Sequence, residues 1–465
     1  MLQLFGSGLI SLWLGLVGVH VVPLDTWGLL SLISRPGLVF LPDPNPVGVT
    51  TVQQYLKGLA AKGIVTTNQG VWIQSGPLLL ADHQGTIPVP AASLTKIATS
   101  LAALKTWGPD YRFETLISGT GPVKHGVLYG DLVIQGGGDP LFIWEDAIAL
   151  GKSLNALGID RVTGNLVIAG NFAMNYQSNP SLAGQLLRQG LDARLWPPSA
   201  TTEFWQHFPL GTPRPQVAIA GVVRVAAPGL VPLSVPKQVL LLHHRSLPLA
   251  QLIKEMNIYS NNEMAQMLAD SLGGAQVVQQ LAITTSGVPQ SEVQLVNGSG
   301  LGVENRISPR AVCAMLGAIQ RELRPYQLSL ADLFAVVGRD HRGTIEGRHI
   351  PFDTVVKTGT LNQVSSLAGV MPTRDRGLVW FAIINRGSDV AGFRVKQDQL
   401  LQRLLQQWQV APVLPVALVP HLGRGQGTGE HAQRQSRAGV PPVERTGVAP
   451  TQWGLGARGQ GRRFE

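Results

Sequence analysis

Ser93-Leu94-Thr95-Lys96 is the stretch on which the reading of this 465-residue chain turns. From Ser93 onward, apolar residues fall at Leu94, Ile97, Ala98, Leu101 and Leu104, the spacing of an amphipathic helix. Pro88 and Pro90 lie upstream and Gly108-Pro109 closes the segment, so this helix has both a start and a stop. Ser93 falls in or near its first turn, with Lys96 three residues on and facing the same way. An amine is thereby set beside a hydroxyl, in the field of a helix N-terminus that favours developing negative charge. Taken alone, an N-cap serine and a solvated lysine would read the same way, since short motifs match by chance. A second S-x-x-K, Ser234-Val235-Pro236-Lys237, fails the test of context, because Pro236 breaks the helix that would align its two side chains.

Two further triplets follow in order. Ser260-Asn261-Asn262 lies between an apolar-periodic run opening at Leu249 and helical spacing that resumes at Met264, Met267 and Leu268. Two helices with a short polar break would present Ser260 and Asn262 toward a cleft, although a Ser/Asn turn is also a common use of these residues. Ser153-Leu154-Asn155 has the same S-x-N form without that setting. Lys357-Thr358-Gly359 follows the β-prone run Phe352–Val356 and precedes Val364–Val370; a lysine there can be a mere edge-protecting charge. Order, spacing and local structure together outweigh each ordinary reading taken singly.

The three motifs form the signature of serine acyltransferases that penicillin inactivates. The chain resembles the low-molecular-mass class C penicillin-binding proteins, the D-alanyl-D-alanine carboxypeptidase/endopeptidase family, over roughly residues 45–405. Supporting blocks are Gly130–Pro140, Asn297–Leu301 with Asn305–Pro309, and Gly343–Arg348. The resemblance implies that Ser93 attacks the carbonyl between two D-alanines while Lys96 takes its proton. Ser260 and Asn262 would orient groups and relay a proton to the leaving amine. Lys357, Thr358, Gly359 and Thr360 would form the wall that holds the substrate carboxylate. Backbone N–H groups of Ser93 and Thr360 would meet the oxyanion. Lys96 serves as a base only when neutral, so burial and nearby positive charge must lower its pKa, and Lys357 is the candidate for that charge. The implied ligands are peptidoglycan stem peptides and, as inhibitors, β-lactam antibiotics. A β-lactamase or esterase, or a non-catalytic cell-wall-binding relative, would share parts of this signature. Members that read diaminopimelate peptides often carry an acid just after a strand where this chain has Ile168-Ala169-Gly170-Asn171.

The implied fold class is α+β: a discontinuous penicillin-binding/β-lactamase-like catalytic domain, helices on an antiparallel sheet, carrying an inserted β-rich domain. The 167 residues between Ser93 and Ser260 are too many for a structureless loop. Residues 45–111 and 246–410 are assigned to the catalytic domain and 112–245 to the insert. Within the catalytic domain, Leu378–Ile384 reads as a central strand and Gln397–Trp408 as a closing helix. Residues 411–465 read as a disordered basic tail.

The remaining features narrow the class. Net charge is +9, but residues 421–465 hold seven arginines against three acids. No nucleic-acid motif accompanies the charge, and no nucleic-acid partner is expected. Cys313 stands alone in an apolar run and reads as a small buried hydrophobe. His243-His244, His341 and His349 lack metal-ligand spacing, so neither metal nor cofactor is expected. Gly136-Gly137-Gly138 lacks the lysine of a phosphate loop and reads as a tight turn. Met1–Val22 contains no Asp, Glu, Lys or Arg. Residues 1–24 therefore read as an export signal or an uncleaved membrane anchor, placing the protein in the periplasm or cell envelope.

Overall fold

The computed structural model describes residues 41–227 and 238–422, with the backbone of 443–445. Its main sheet is built around Gly377–Arg386. Along this strand Val379, Phe381 and Ile383 enter one hydrophobic core while Ala382 and Ile384 enter another. The period of two sends alternate side chains to opposite faces, and both faces are covered, which is why the run is continuously apolar. The sheet order is Leu41–Pro42, Leu78–His83, Gly70–Ser75, Gly377–Arg386, Val364–Thr373, Val355–Leu361 and Ala335–Val336. All neighbours pair antiparallel except the first two.

Helices Val47–Ala60 and Val390–Trp408 cover one face, contributing Val52, Leu59, Leu400 and Leu404 to its core. The other face carries the helices Thr95–Trp107, Leu249–Tyr259, Asn262–Ser271, Ala275–Ser286 and Pro309–Leu323. Cys313 lies within this second core as a buried free thiol.

A third core draws its buried residues from Ile117 through Leu242, between Ser93 and Ser260 in sequence. Its sheet runs Val223–Val225, Leu166–Asn171, Leu132–Gly137, Glu114–Gly119 and Val239–Arg245, with Val443–Arg445 pairing at the last edge. Leu132–Gly137, Leu166–Asn171 and Val223–Val225 are parallel neighbours. Parallel strands need crossovers, and here helices Trp144–Ala156, Pro180–Leu191 and Pro198–His207 supply them. The region is therefore as helical as it is β, more mixed than the β-rich expectation. Asn179 shows why one of these helices starts where it does: its side chain accepts from the backbone N–H of Ser181 and Leu182, with Pro180 at the first helical position.

The Gly136–Gly138 run is the end of a strand more than a turn. Gly136 and Gly137 finish Leu132–Gly137, and a Cβ on Gly137 would fall 2.3 Å from the Glu114 carbonyl oxygen of the neighbouring strand. Gly138 alone has the positive φ, +96°.

The disorder expected from residue 411 does not hold for 411–422. Leu418 is fully buried in the core of the helical face, and the Val419 carbonyl accepts from Ser329 Oγ at 2.9 Å. Within the rest of that tail only the strand Val443–Arg445 is described; residues 423–442 and 446–465, the 1–24 segment and the Ser234–Lys237 tetrad lie outside the described residues. Among the described residues no helix is long and apolar enough to cross a membrane.

Candidate active site

Ser93 sits in a single 3-10 turn, Ala92–Leu94, that leads directly into the helix Thr95–Trp107. Ala92, immediately before it, is held at φ +51°, a left-handed backbone that costs a non-glycine residue roughly 1–2 kcal/mol. Such strain persists where the surroundings over-determine it, and it gathers at functional sites. Lys96 is fully buried one turn on. Its Nζ donates to Ser93 Oγ at 3.0 Å, to Asn262 Oδ1 at 2.7 Å and to the Ser299 carbonyl at 2.7 Å.

In Ser260-Asn261-Asn262 each residue has a separate structural task. Ser260 ends the helix Leu249–Tyr259 in a left-handed C-cap at φ +56°. Asn261 caps the next helix, its side chain accepting from the Met264 N–H at 2.9 Å. Asn262 is the first residue of that helix, and its side chain reaches Lys96. The Ser153-Leu154-Asn155 copy lies inside the helix Trp144–Ala156. There Ser153 donates back to the Ala149 carbonyl and Asn155 ties down a loop through Ile159 and Gln216.

Lys357 lies on the strand Val355–Leu361 and is 1% exposed. Its Nζ donates to Ser260 Oγ at 2.9 Å and to the Thr358 carbonyl at 2.8 Å. Thr358 Oγ1 donates to Thr344 Oγ1 at 2.6 Å. Gly359 is where the strand meets the Ser93 turn: a Cβ there would fall 2.9 Å from the Ser93 amide nitrogen and 3.2 Å from the Ala91 carbonyl oxygen. Only a residue without a side chain lets the two backbones approach this closely. Thr360 is exposed, and its hydroxyl accepts from an Arg394 NH2 group at 3.0 Å.

All eight residues selected from sequence thus lie along two connected runs of contact: Ser93–Lys96–Asn262, and Ser260–Lys357–Thr358 continuing through Gly359 to Thr360. Sequence reasoning did not single out the Ser299 carbonyl, Thr344 or Arg394. Ser299 and Thr344 fall in the Asn297–Leu301 and Gly343–Arg348 blocks, which were the available signal. Arg394 had none.

Burial lowers the Lys96 ammonium from the ordinary lysine range to about 7, with the Glu263 carboxylate acting weakly the other way. Burial also holds Lys357 well below that range, and the charge of Lys96 adds to the effect. The expected direction of influence is therefore reversed. Lys357 is the more deeply enclosed amine, so the charge of Lys96 bears on it, and Lys96 owes its own shift to desolvation. A neutral Lys96 needs only two donors, for Asn262 Oδ1 and the Ser299 carbonyl. Its lone pair then faces Ser93 Oγ and can accept the hydroxyl proton.

Away from this cleft, Glu145, Glu203 and His207 offer ligand atoms within 4.8 Å of one another. The group closes on itself, with His207 Nδ1 3.4 Å from Glu145 and 3.1 Å from Glu203.

Residues 53–184 and 225–407 match the profile of the D-Ala-D-Ala carboxypeptidase 3 (S13) family. Carboxypeptidase DacB of Mycolicibacterium smegmatis is 25% identical over 410 residues, 77% of this chain and 85% of that protein. The D-alanyl-D-alanine carboxypeptidase DacB of Haemophilus influenzae is 23% identical over 395 residues, 64% of this chain and 80% of that one. Among solved structures, the penicillin G-acylated Bd3459 predatory endopeptidase of Bdellovibrio bacteriovorus superimposes with a TM-score of 0.63. It is 23% identical, and the match covers 73% of this chain and 91% of that one.

Proposed function

The chain belongs to the D-Ala-D-Ala carboxypeptidase 3 (S13) family, and from that premise we propose that it hydrolyses the D-Ala-D-Ala bond of peptidoglycan stem peptides through an acyl-enzyme on Ser93. The observation that carries the reading is the Lys96 amine, 3.0 Å from Ser93 Oγ and titrating near neutrality.

In this reading Ser93 Oγ attacks the scissile carbonyl as its proton passes to Lys96 Nζ. The oxyanion that forms lies between the N–H groups of Ser93 and Thr360; the close approach of Gly359 to Ser93 supports that pairing. Collapse of the tetrahedral intermediate breaks the C–N bond. The leaving amine takes the proton that Lys96 received, passed on through Ser260, whose hydroxyl is held by Lys357, and Lys96 is neutral again. Water then attacks the ester with Lys96 as base, and the acid product and Ser93 hydroxyl are restored. Asn262 keeps Lys96 aimed at Ser93 throughout. Thr358 and Thr360 face the substrate. A β-lactam follows the same first step, and its ring-opened acyl group stays on Ser93.

The leaving amine can be free D-alanine or the D-centre of a cross-link, so carboxypeptidase and endopeptidase activities share one chemistry. Substrates of this kind place the enzyme's work in the cell envelope.

Mass spectrometry after incubation with benzylpenicillin tests the proposal. The expected result is a stable adduct on the Ser93 peptide, absent from Ser93→Ala. Folded protein that takes up no adduct would overturn the acylation step, and rapid penicillin turnover would point to a β-lactamase instead. D-alanine release from a muramyl pentapeptide, compared with cleavage of cross-linked dimers, measures the balance of the two peptidase activities.

A further inference from the structure

We infer that the region between Ser93 and Ser260 docks on an anionic phospholipid bilayer, through an apolar wedge of Trp205 and Leu210 flanked by the cations Arg214 and Lys152. The wedge takes no residue from the catalytic cleft, and the inference stands independently of the peptidase reading. Large apolar side chains are turned to solvent here within one short stretch: Leu210 is 91% exposed, Trp205 53% and Leu195 48%. A turn holds Leu210 outward. The Thr212 N–H donates to the Pro209 carbonyl at 3.1 Å, and Gly211 supplies the positive φ, +82°, that closes the turn with Leu210 at its apex. Pro209, Pro213 and Pro215 fix the backbone on both sides of it.

This loop closes on the helix Pro198–His207. The Arg214 guanidinium lies 5.0 Å from the Trp205 ring, 5.8 Å from Phe204 and 6.0 Å from Trp196. Phe204 stacks on Phe208, and the Lys152 ammonium lies 5.0 Å from the Phe208 ring. Wedge and cations therefore form one continuous surface. Charge and shape select its occupant. Among the described residues neither Arg214 nor Lys152 pairs with a carboxylate. Between Asp192 and Gln216 the single acid, Glu203, is turned to His207 at 3.1 Å. Cations without a counter-charge complement anionic headgroups, each adding about fivefold in affinity. A second copy meeting this patch about a two-fold axis would set the same cations against each other, with no acid to answer them. A sugar ring needs an open aromatic face, whereas Arg214 lies over Trp205 and a leucine, not a ring, stands furthest out. Tryptophan with an aliphatic tip and flanking cations is the set that seats at the headgroup boundary.

The test attaches an environment-sensitive fluorophore to Leu210→Cys and, as a control on the catalytic domain, to Val413→Cys, which is 78% exposed; the native Cys313 is buried. The full chain is mixed with phosphatidylcholine vesicles, with and without phosphatidylglycerol, that carry a quencher on their acyl chains. Local quenching reads this surface whatever the N-terminal segment does. The expected result is quenching at position 210 and not at 413, strengthened by phosphatidylglycerol. Arg214→Glu should weaken it about 25-fold, two steps of fivefold, and Trp205→Ala about tenfold or more. Unchanged circular dichroism and penicillin acylation show that these variants are folded. A folded protein without quenching at 210, or with quenching indifferent to phosphatidylglycerol and to Arg214→Glu, overturns the inference. So does a lipid-free shift at 210 that grows with protein concentration in place of quenching, which would mean a second copy. Retention on lipid-free peptidoglycan that Trp205→Ala abolishes, again in place of quenching, would overturn it in favour of a sugar partner.

Discussion

Replacing Gly359 by alanine probes the close approach of the strand to the Ser93 turn. The added Cβ would lie 2.9 Å from the Ser93 amide nitrogen and 2.3 Å from Ser366 Oγ. The serine hydroxyl cannot simply rotate away at no cost, since it donates to the Ala91 carbonyl at 2.9 Å and so holds the loop before the nucleophile. An ordinary carbon–nitrogen contact of about 3.4 Å requires the strand and the Ser93 turn to part by about 0.5 Å. An oxyanion donor works at about 2.7–3.1 Å, and a shift of that size takes one of the two donors out of range. Loss of one donor lowers acylation by about 10²-fold or more, while the overpacking destabilises the fold by about 1–3 kcal/mol. The assay is the second-order rate of acylation by a fluorescent penicillin, with urea unfolding in parallel to establish the folded fraction. A folded Gly359→Ala protein that acylates within threefold of wild type would show that the strand has no part in holding the reacting geometry.

Three further outcomes follow from the same site and its supports. Since Lys96 is active when neutral and titrates near 7, the rate of acylation should rise about tenfold per pH unit below 7 and level off above it; a flat profile between pH 5.5 and 8 would contradict this. The same shift links to stability: the unfolded chain binds the Lys96 proton between about 7 and 10.5 and the folded chain does not, so folding stability gains about 5 kcal/mol as pH rises through that window. Lys96→Met should lose the Lys96 share of this slope, leaving that of the buried Lys357, along with all acylation, as urea unfolding at several pH values would reveal. Glu292 is buried, accepts from Ser308 Oγ and Arg310, and so anchors the cap of the helix Pro309–Leu323. Glu292→Ala should therefore lose about 3–5 kcal/mol in urea unfolding, whereas a loss below 1 kcal/mol would mean that the cluster is solvated.

The fold and site were legible where side-chain identity and spacing carry the chemistry. Ser93 and Lys96 share a helical turn, the second triplet bridges two helices, and Lys357 rides a strand, so each declares itself through local pattern. The Ser299 contact did not, because a carbonyl belongs to every residue and leaves no mark in composition. Arg394 was hidden for another reason: it is one of several cations on an amphipathic surface helix, and only the folded chain sets it beside Thr360. The helices between Ser93 and Ser260 are less legible than the strand-like runs Leu132–Ile134 and Leu166–Ile168 beside them. Their parallel pairing, which demands crossovers, becomes visible only when the sheet order is known. The relation between the two lysines was misjudged because sequence supplies charge without depth, and depth decides which amine bears on the other.

The short stretch after the helix Val390–Trp408 bears on how the helical face is held together. Asp332, itself buried, accepts from the backbone N–H of His421 at 2.7 Å and of Leu422 at 2.8 Å, while Leu418 fills the core beneath them. A chain shortened at Trp408 would keep every catalytic residue yet leave Asp332 Oδ1 without the donors of His421 and Leu422, with Oδ2 still held by Ser329, and a hole the size of a leucine. Trimming back from residue 422 therefore removes a strap that takes no part in the chemistry.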